Sequence, residues 1–357
     1  MIITDSRETV SRVGFAVGRG ISIVQSIAPI FQSDCRMLFL VGLAVAVAVV
    51  LNGSVREPAQ RRDLPDTATG IAPMSTEATK YDRVDAGGYE IAFTRAGRGP
   101  AVVLIHGIPT HSYLWRGVVP PLVAAGLEVI TLDLLGYGAS DKPAEADLGI
   151  KAQSRFLVEA LRALNWSGGT LVGHDIGGGI AQLIAVEHPE VTTRLVLVDS
   201  IVYDSFPEPG IARLKDPAWD DILGAPGFDL KKGLIKGFKR GMVHGDRITS
   251  EMIDCYERPF RGVEGRRAYL RAARALRTEE LSSQMDAVEK LKLPTLVVWG
   301  SEDVFQPVKS GEHLAHTMPN GQFEVIQQAG HFLPEDAPET LARHIALFAT
   351  SASKLST

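Results

Sequence analysis

One short stretch constrains the fold of this chain more than any other: Leu171-Val172-Gly173-His174-Asp175-Ile176-Gly177-Gly178. An apolar strand ending runs into Gly-x-Asp-x-Gly and passes directly into a helical pattern over 176–188, which stops at Pro189. A strand can turn into a helix this abruptly only through a tight bend. Gly173 and Gly177 remove the side chains that would collide there. The residue at the centre of such a bend projects from the carboxyl edge of the sheet. The helix that follows aims its positive N-terminal end at that residue, which favours a carboxylate or an oxyanion. Taken alone, the stretch also fits a plain Gly-rich turn with an N-capping aspartate.

The rest of the chain decides which setting the bend has. Strand signals fall at 89–95, 101–105, 127–132, 170–172, 194–198, 295–299 and 323–326, with helical spacing over 149–165, 176–188 and 337–349. Short apolar strands alternating with helices imply a parallel sheet covered on both faces. Between 201 and 285 the rhythm breaks into helical sequence scattered with Pro, Gly, Phe and Trp, which reads as a cap inserted between two strands. The expected fold is therefore α/β, a mostly parallel doubly wound sheet with an inserted helical cap. Its core is formed by 80–200 and 286–357.

The N-terminal 79 residues follow a different logic. Residues 1–36 form a leader, and 37–55 are uncharged and largely apolar, flanked by Arg36 and Arg56. Residues 56–79 read as a flexible linker. The apolar stretch sits at the short end of what spans a bilayer. It is expected to anchor the chain in a membrane, with the catalytic domain on the extracytoplasmic side. A signal peptide and a buried soluble helix are the alternatives. Two cysteines, Cys35 and Cys255, leave no disulfide inside the folded region and no metal-binding spacing. The net charge of −5, with cations dispersed, argues against a nucleic-acid partner. The most basic segment, 231–240, reads as a solvated helix face.

Four further motifs, in order, carry a family resemblance. His106-Gly107-Ile108-Pro109 resembles the HGxP oxyanion loop of α/β-hydrolases, and the Gly136-Tyr137-Gly138 stretch their second Gly-rich loop. Trp299-Gly300-Ser301-Glu302-Asp303 resembles the strand end bearing the triad acid, and Ala329-Gly330-His331 the loop bearing the histidine. The chain order nucleophile, acid, histidine is that of this fold. An aspartate at the elbow is similar to the epoxide hydrolases, haloalkane dehalogenases and fluoroacetate dehalogenases. That resemblance implies Asp175 as nucleophile, His331 as base and Asp303 as its partner, with Glu302 and Asp199 as rival acids. Backbone amides of Ile108 and Ile176 would form the oxyanion hole. His174 reads as packed or hydrogen-bonded beside the elbow, and Trp115 and Trp219 as packing. The chain departs from the dehalogenases where they place halide-binding Trp or Asn: those positions are Ile176 and Ile108. Epoxide hydrolases use cap tyrosines to activate the epoxide oxygen, and Tyr256 and Tyr269 are the candidates here.

A carboxylate nucleophile suits attack at an sp3 carbon, because it needs no base to ionise and its ester can be hydrolysed. The expected activity is hydrolysis of a small apolar substrate, leaning to epoxides, with water as co-substrate and no cofactor or metal. Haloalkane dehalogenation is the alternative. A non-catalytic binding protein on a hydrolase fold is the alternative from another class, and the intact His331 and Asp303 motifs weigh against it.

Overall fold

A computed structural model describes residues 80–351. The leader, the apolar segment 37–55 and the linker 56–79 lie outside the described residues, and so does the expected membrane anchor. Among the described residues no helix is long and apolar enough to cross a membrane.

Eight strands form one sheet: β1 (Asp82–Ala86), β2 (Tyr89–Gly97), β3 (Ala101–Ile105), β4 (Glu128–Leu132), β5 (Thr170–His174), β6 (Arg194–Val198), β7 (Thr295–Gly300) and β8 (Gly321–Ile326). Their order is β1-β2-β4-β3-β5-β6-β7-β8. The first two pair antiparallel, β2 pairs antiparallel with β4, and β3 to β8 are parallel. Strand β1 has no counterpart among the sequence expectations. Its sequence, DRVDA, is largely exposed at the sheet edge and carries no apolar pattern. It forms because the two-residue Gly87-Gly88 turn, with both φ angles positive, folds it back on β2.

Both faces of the sheet are covered, which explains the nearly unbroken apolar strands. Alternate residues of one strand enter different cores: Val103 and Ile105 pack with one cluster, Val102 and Leu104 with the other. Helices α1 (Val119–Ala124), α2 (Ile150–Ala163) and α3 (Ile176–Glu187) follow β3, β4 and β5 in the chain. Residues of α2 and α3 join the first cluster, and Leu122 of α1 the second. The α3 residues from Ile176 to Ala185 are buried on every side, so that helix is apolar all round rather than amphipathic.

Between β6 and β7 the chain builds the cap, whose longer helices are α4 (Ala218–Gly224), α5 (Leu230–Gly241), α6 (Ser250–Glu257) and α7 (Gly262–Arg274). The core closes with α8 (Val308–Thr317) and α9 (Pro338–Thr350). Cap and core are joined by polar ties as well as by packing. The Asp336 carboxylate accepts from the Val243 and His244 amides at 2.9 and 3.0 Å and from Gly330 at 2.8 Å.

The chain reverses direction across the sheet at β3, with β4 on one side and β5 on the other. In open α/β sheets the crevice beyond the carboxyl ends at such a switch point is where ligands bind. The loops leaving β3 and β5 carry Ile108 and Asp175.

Candidate active site

Asp175 joins β5 to α3 with φ 52° and ψ −122°, outside the regions an ordinary side chain prefers. Strain of this kind persists only where the surroundings over-determine it. A Cβ on Gly177 would lie 2.4 Å from the Ile105 carbonyl oxygen, and one on Gly107 would lie 2.5 Å from the Asp175 carboxylate. Glycine at these points lets the β3 loop close against the nucleophile.

The Ile108 amide donates to Asp175 Oδ2 at 2.9 Å. The Ile176 amide adds a second backbone donor to the same carboxylate. Both members of the expected oxyanion pair thus already donate to the Asp175 carboxylate, the Ile108 amide on Oδ2. Burial pushes the Asp175 carboxyl up to about 6, although the His331 charge and both amides pull it down.

His331 donates from Nδ1 to Asp303 Oδ2 at 2.9 Å, which turns Nε2 away from the acid. Asp303 is in turn fixed by the Phe305 and Gln306 amides on Oδ1, at 2.7 and 2.9 Å. Burial alone would depress the His331 imidazole. The Asp303 charge and hydrogen bond, with the Asp175 charge behind them, raise it above its ordinary value.

The rival acids take other positions. Glu302 is exposed. Asp199, at the end of β6, is fully buried and accepts from the Gly300 amide at 2.8 Å. Burial, and then the Asp303 charge, push its carboxyl well above the carboxylate range beneath the β7 turn. His174 donates from Nε2 to the His331 carbonyl at 2.8 Å and is also buried. It braces the histidine loop from below.

The two tyrosines part company. Tyr269, on α7, lines a cavity of about 700 Å³ together with Asp175, Ile108, Ile176 and His331. Its hydroxyl has no hydrogen-bond partner among the described residues, and burial pushes its pKa up to about 12. Tyr256 does not reach the cavity, which corrects its expected role as a substrate activator. Its hydroxyl is bound to the Glu335 carboxylate, and its ring stacks on Phe238 at 4.8 Å. Glu335 is paired with Arg116 through both guanidinium nitrogens, at 2.5 and 2.7 Å. A hydroxyl committed to a buried carboxylate is not free to protonate a substrate. Trp115 is buried in the second core cluster, whereas Trp219 lies on the cavity wall beneath Arg213.

Several members of the arrangement had no sequence signal. Asp336 and Glu335 lie just past His331 in an ordinary Pro-Glu-Asp turn, and only the fold shows that they tie the histidine loop to the cap. Phe305 presents an edge to His331 at 5.1 Å. Tyr137, in the second Gly-rich loop, is fully buried with an unpaired hydroxyl that feels the Asp175 charge.

These titrations fix a pH profile. The expected role of Asp175 as nucleophile requires its ionised form and so predicts that kcat/KM rises with pH through about 6. The expected role of His331 as base requires its neutral form and so predicts that a kcat limited by the second step rises at a higher pH, above 6.5. Tyr269 keeps its proton to about 12, so no alkaline fall is expected below pH 10, roughly two units beneath that value. Stopped-flow single-turnover rates from pH 5 to pH 10, roughly the span of these groups, separate the two limbs. A single limb shared by both constants would contradict the assignment of two groups to two steps.

The family model described as the alpha/beta hydrolase fold matches residues 100–338. An uncharacterized Mycobacterium tuberculosis protein is 33% identical over 267 residues, covering 70% of this chain and 75% of the relative. A fluoroacetate dehalogenase of a Burkholderia species is 28% identical over 289 residues, covering 75% of this chain and 93% of the relative. The solved structure of the epoxide hydrolase CorEH superposes with a TM-score of 0.60 at 25% identity, over 75% of this chain and 98% of that one.

Proposed function

This chain belongs to the alpha/beta hydrolase fold family, and from that premise we propose that it is an aspartate-nucleophile hydrolase that opens epoxides. The observation that carries the reading is Asp175 itself: a carboxylate at the elbow, one oxygen bound by the Ile108 amide at 2.9 Å, facing a cavity shared with His331.

Asp175 Oδ1 attacks an epoxide carbon. The carbon–oxygen bond breaks, and the departing oxygen takes the Tyr269 proton. The product is an ester on Asp175 bearing a neighbouring hydroxyl. His331 Nε2 then takes a proton from water, and the hydroxide attacks the ester carbonyl carbon. Negative charge collects on Oδ2, which the Ile108 amide already holds, with the Ile176 amide as the second backbone donor to this group. Collapse expels the alkoxide, which takes the proton from His331. The diol leaves, and tyrosinate regains its proton from solvent. Asp303 holds the imidazole tautomer and stabilises its cation throughout.

Tyr269 favours epoxides over halides. It offers an unpaired donor in the cavity, while the Ile108 and Ile176 side chains give a halide nothing to bind. The Burkholderia relative is named as a fluoroacetate dehalogenase and the CorEH structure as an epoxide hydrolase, so both chemistries occur among proteins this chain resembles. Turnover of mixed epoxides and alkyl halides in heavy-oxygen water separates them, with diol and halide scored independently. Label in Asp175 with diol as product is expected. Tyr269→Phe should slow epoxide turnover about 100-fold. Halide release with full activity in Tyr269→Phe would overturn the epoxide reading and leave a dehalogenase.

A further inference from the structure

The basic segment 231–240 is the solvated helix face expected, and it also borders the cavity. It is helix α5, which buries Leu230, Leu234, Phe238 and Gly241 and leaves Lys232, Lys236, Lys239 and Arg240 exposed. Lys231 pairs with Asp254 outside the cavity. Lys232, Lys236 and Arg240, spaced four apart and therefore on one stripe, line the cavity. Arg213, from a different cap segment, lines it too.

The stripe has a direction. The carboxyl end of α5 sits at the catalytic end of the cavity: Phe238 packs on Phe332 at 4.5 Å, and the Gly241 carbonyl accepts from the Phe332 amide at 3.2 Å. The Arg240 guanidinium lies 4.6 Å from the centre of the Phe305 ring, which itself abuts His331. Each earlier turn lies about 6 Å further out, so Lys236 and then Lys232 mark a path leading away from the nucleophile. Gly233 and Gly237 share this wall, and a Cβ on either would meet nothing within 4 Å. Space beside the helix is open where the cations stand.

Partners for these cations are incomplete. Arg240 pairs with Glu208 at 2.7 Å, and Lys232 stands 3.9 Å from Asp229. Neither Lys236 nor Arg213 has a carboxylate partner among the described residues. Like charges four apart weaken a helix, and an apolar substrate has no use for them. The Glu208 and Asp229 carboxylates line the cavity too, beside Arg240 and Lys232, as does Gln306, and the rest of this wall is largely apolar, including Leu214, Phe228, Leu234 and Leu276.

We propose that the outer half of the cavity is an anion subsite, in which Lys236 and Arg213, flanked by Lys232 and Arg240, receive the anionic end of an apolar-bodied substrate. This deepens the epoxide reading and rests on it only for the reacting end. The substrate is then amphipathic, its electrophilic carbon at Asp175 and its anion toward the mouth, in place of a small wholly apolar molecule.

The test uses binding of unreactive ligands to the full chain, so it does not depend on turnover. Decanoate, decyl phosphate and the neutral decanamide are titrated calorimetrically. At low salt at least one anion should bind roughly threefold to tenfold more tightly than decanamide, as expected for partly exposed charge pairs. The stronger of the two identifies the end group as carboxylate or phosphate. The gap should close in about 0.5 M salt. It should also close in Lys236→Glu and reverse in Lys236→Glu/Arg213→Glu, while decanamide affinity stays constant and reports an intact cavity. Equal binding of all three ligands, or a gap that survives both variants, would overturn the subsite. Neither outcome touches the Asp175 assignment, which the labelling experiment tests separately.

Discussion

Asp175→Asn is expected to abolish turnover and, in the same protein, to make the fold more stable. The kinetic loss should reach about four to six orders of magnitude, the scale seen when a covalent nucleophile is removed. An amide oxygen still accepts from the Ile108 amide, so the elbow keeps its geometry and the loss reports chemistry alone. The stability gain has a separate origin. Burial lifts the Asp175 carboxyl from 3.8 to about 6 in the fold. The folded state therefore binds this proton more tightly than the unfolded chain. The cost is absent below pH 3.8, grows as pH rises towards 6, and is complete above it. About two pKa units correspond to roughly 2–3 kcal/mol, which the neutral asparagine recovers at pH 8 and not at pH 4. Denaturant unfolding of both proteins at the two pH values measures it. A variant that is inactive but no more stable at pH 8 would show that Asp175 is not held as a buried, disfavoured charge. One that turns over normally would remove Asp175 from the mechanism.

His331→Gln should stop the enzyme halfway. The first step does not use the imidazole as a base, whereas the second does, so the ester on Asp175 should accumulate. Turnover should fall by about a thousandfold or more. The peptide containing Asp175 should gain the full mass of an epoxide, because ring opening expels no fragment. An alkyl halide would instead add only its alkyl group and release one equivalent of halide. The same spectrum thus reads both the role of His331 and the chemistry of the substrate. The positive charge of His331 helps to ionise Asp175, so the variant is best alkylated at alkaline pH. Unmodified peptide with unchanged turnover would place the hydrolytic base elsewhere.

How legible these residues were in the sequence depends on how local their signals are. The bend around Asp175 is written within a few positions, because glycine on either side of a polar residue at a strand-to-helix junction has few other uses. The strands β3 to β7 were visible because a sheet covered on both faces demands nearly unbroken apolar runs, while the edge strand β8 (GQFEVI) showed as a shorter alternating segment. Strand β1 was not visible, since an exposed edge strand is free of that demand and its pairing depends on the Gly87-Gly88 turn. The resemblance pointed to Asp303 over Asp199 and Glu302, but it did not show the contact itself. All three sit near strand ends, and only the packed loops show which carboxylate reaches His331 Nδ1 and which is buried beneath the turn.

The cap was the least legible region, for a physical reason. Helix periodicity says which residues share a face, not what that face meets. Tyr256 and Tyr269 are alike as aromatic residues on cap helices, yet one is locked to Glu335 and the other faces the cavity. The cations of α5 are a solvated stripe, as they read in the sequence, and only the folded cap shows that this stripe also borders the cavity. By itself the sequence determined the doubly wound sheet, its inserted cap and the aspartate at the elbow, because each rests on apolar period or turn chemistry within a short window. The tertiary structure alone decided how the histidine is held, which tyrosine lines the cavity and which charges border its mouth, because each requires side chains far apart in the chain to be brought together by packing.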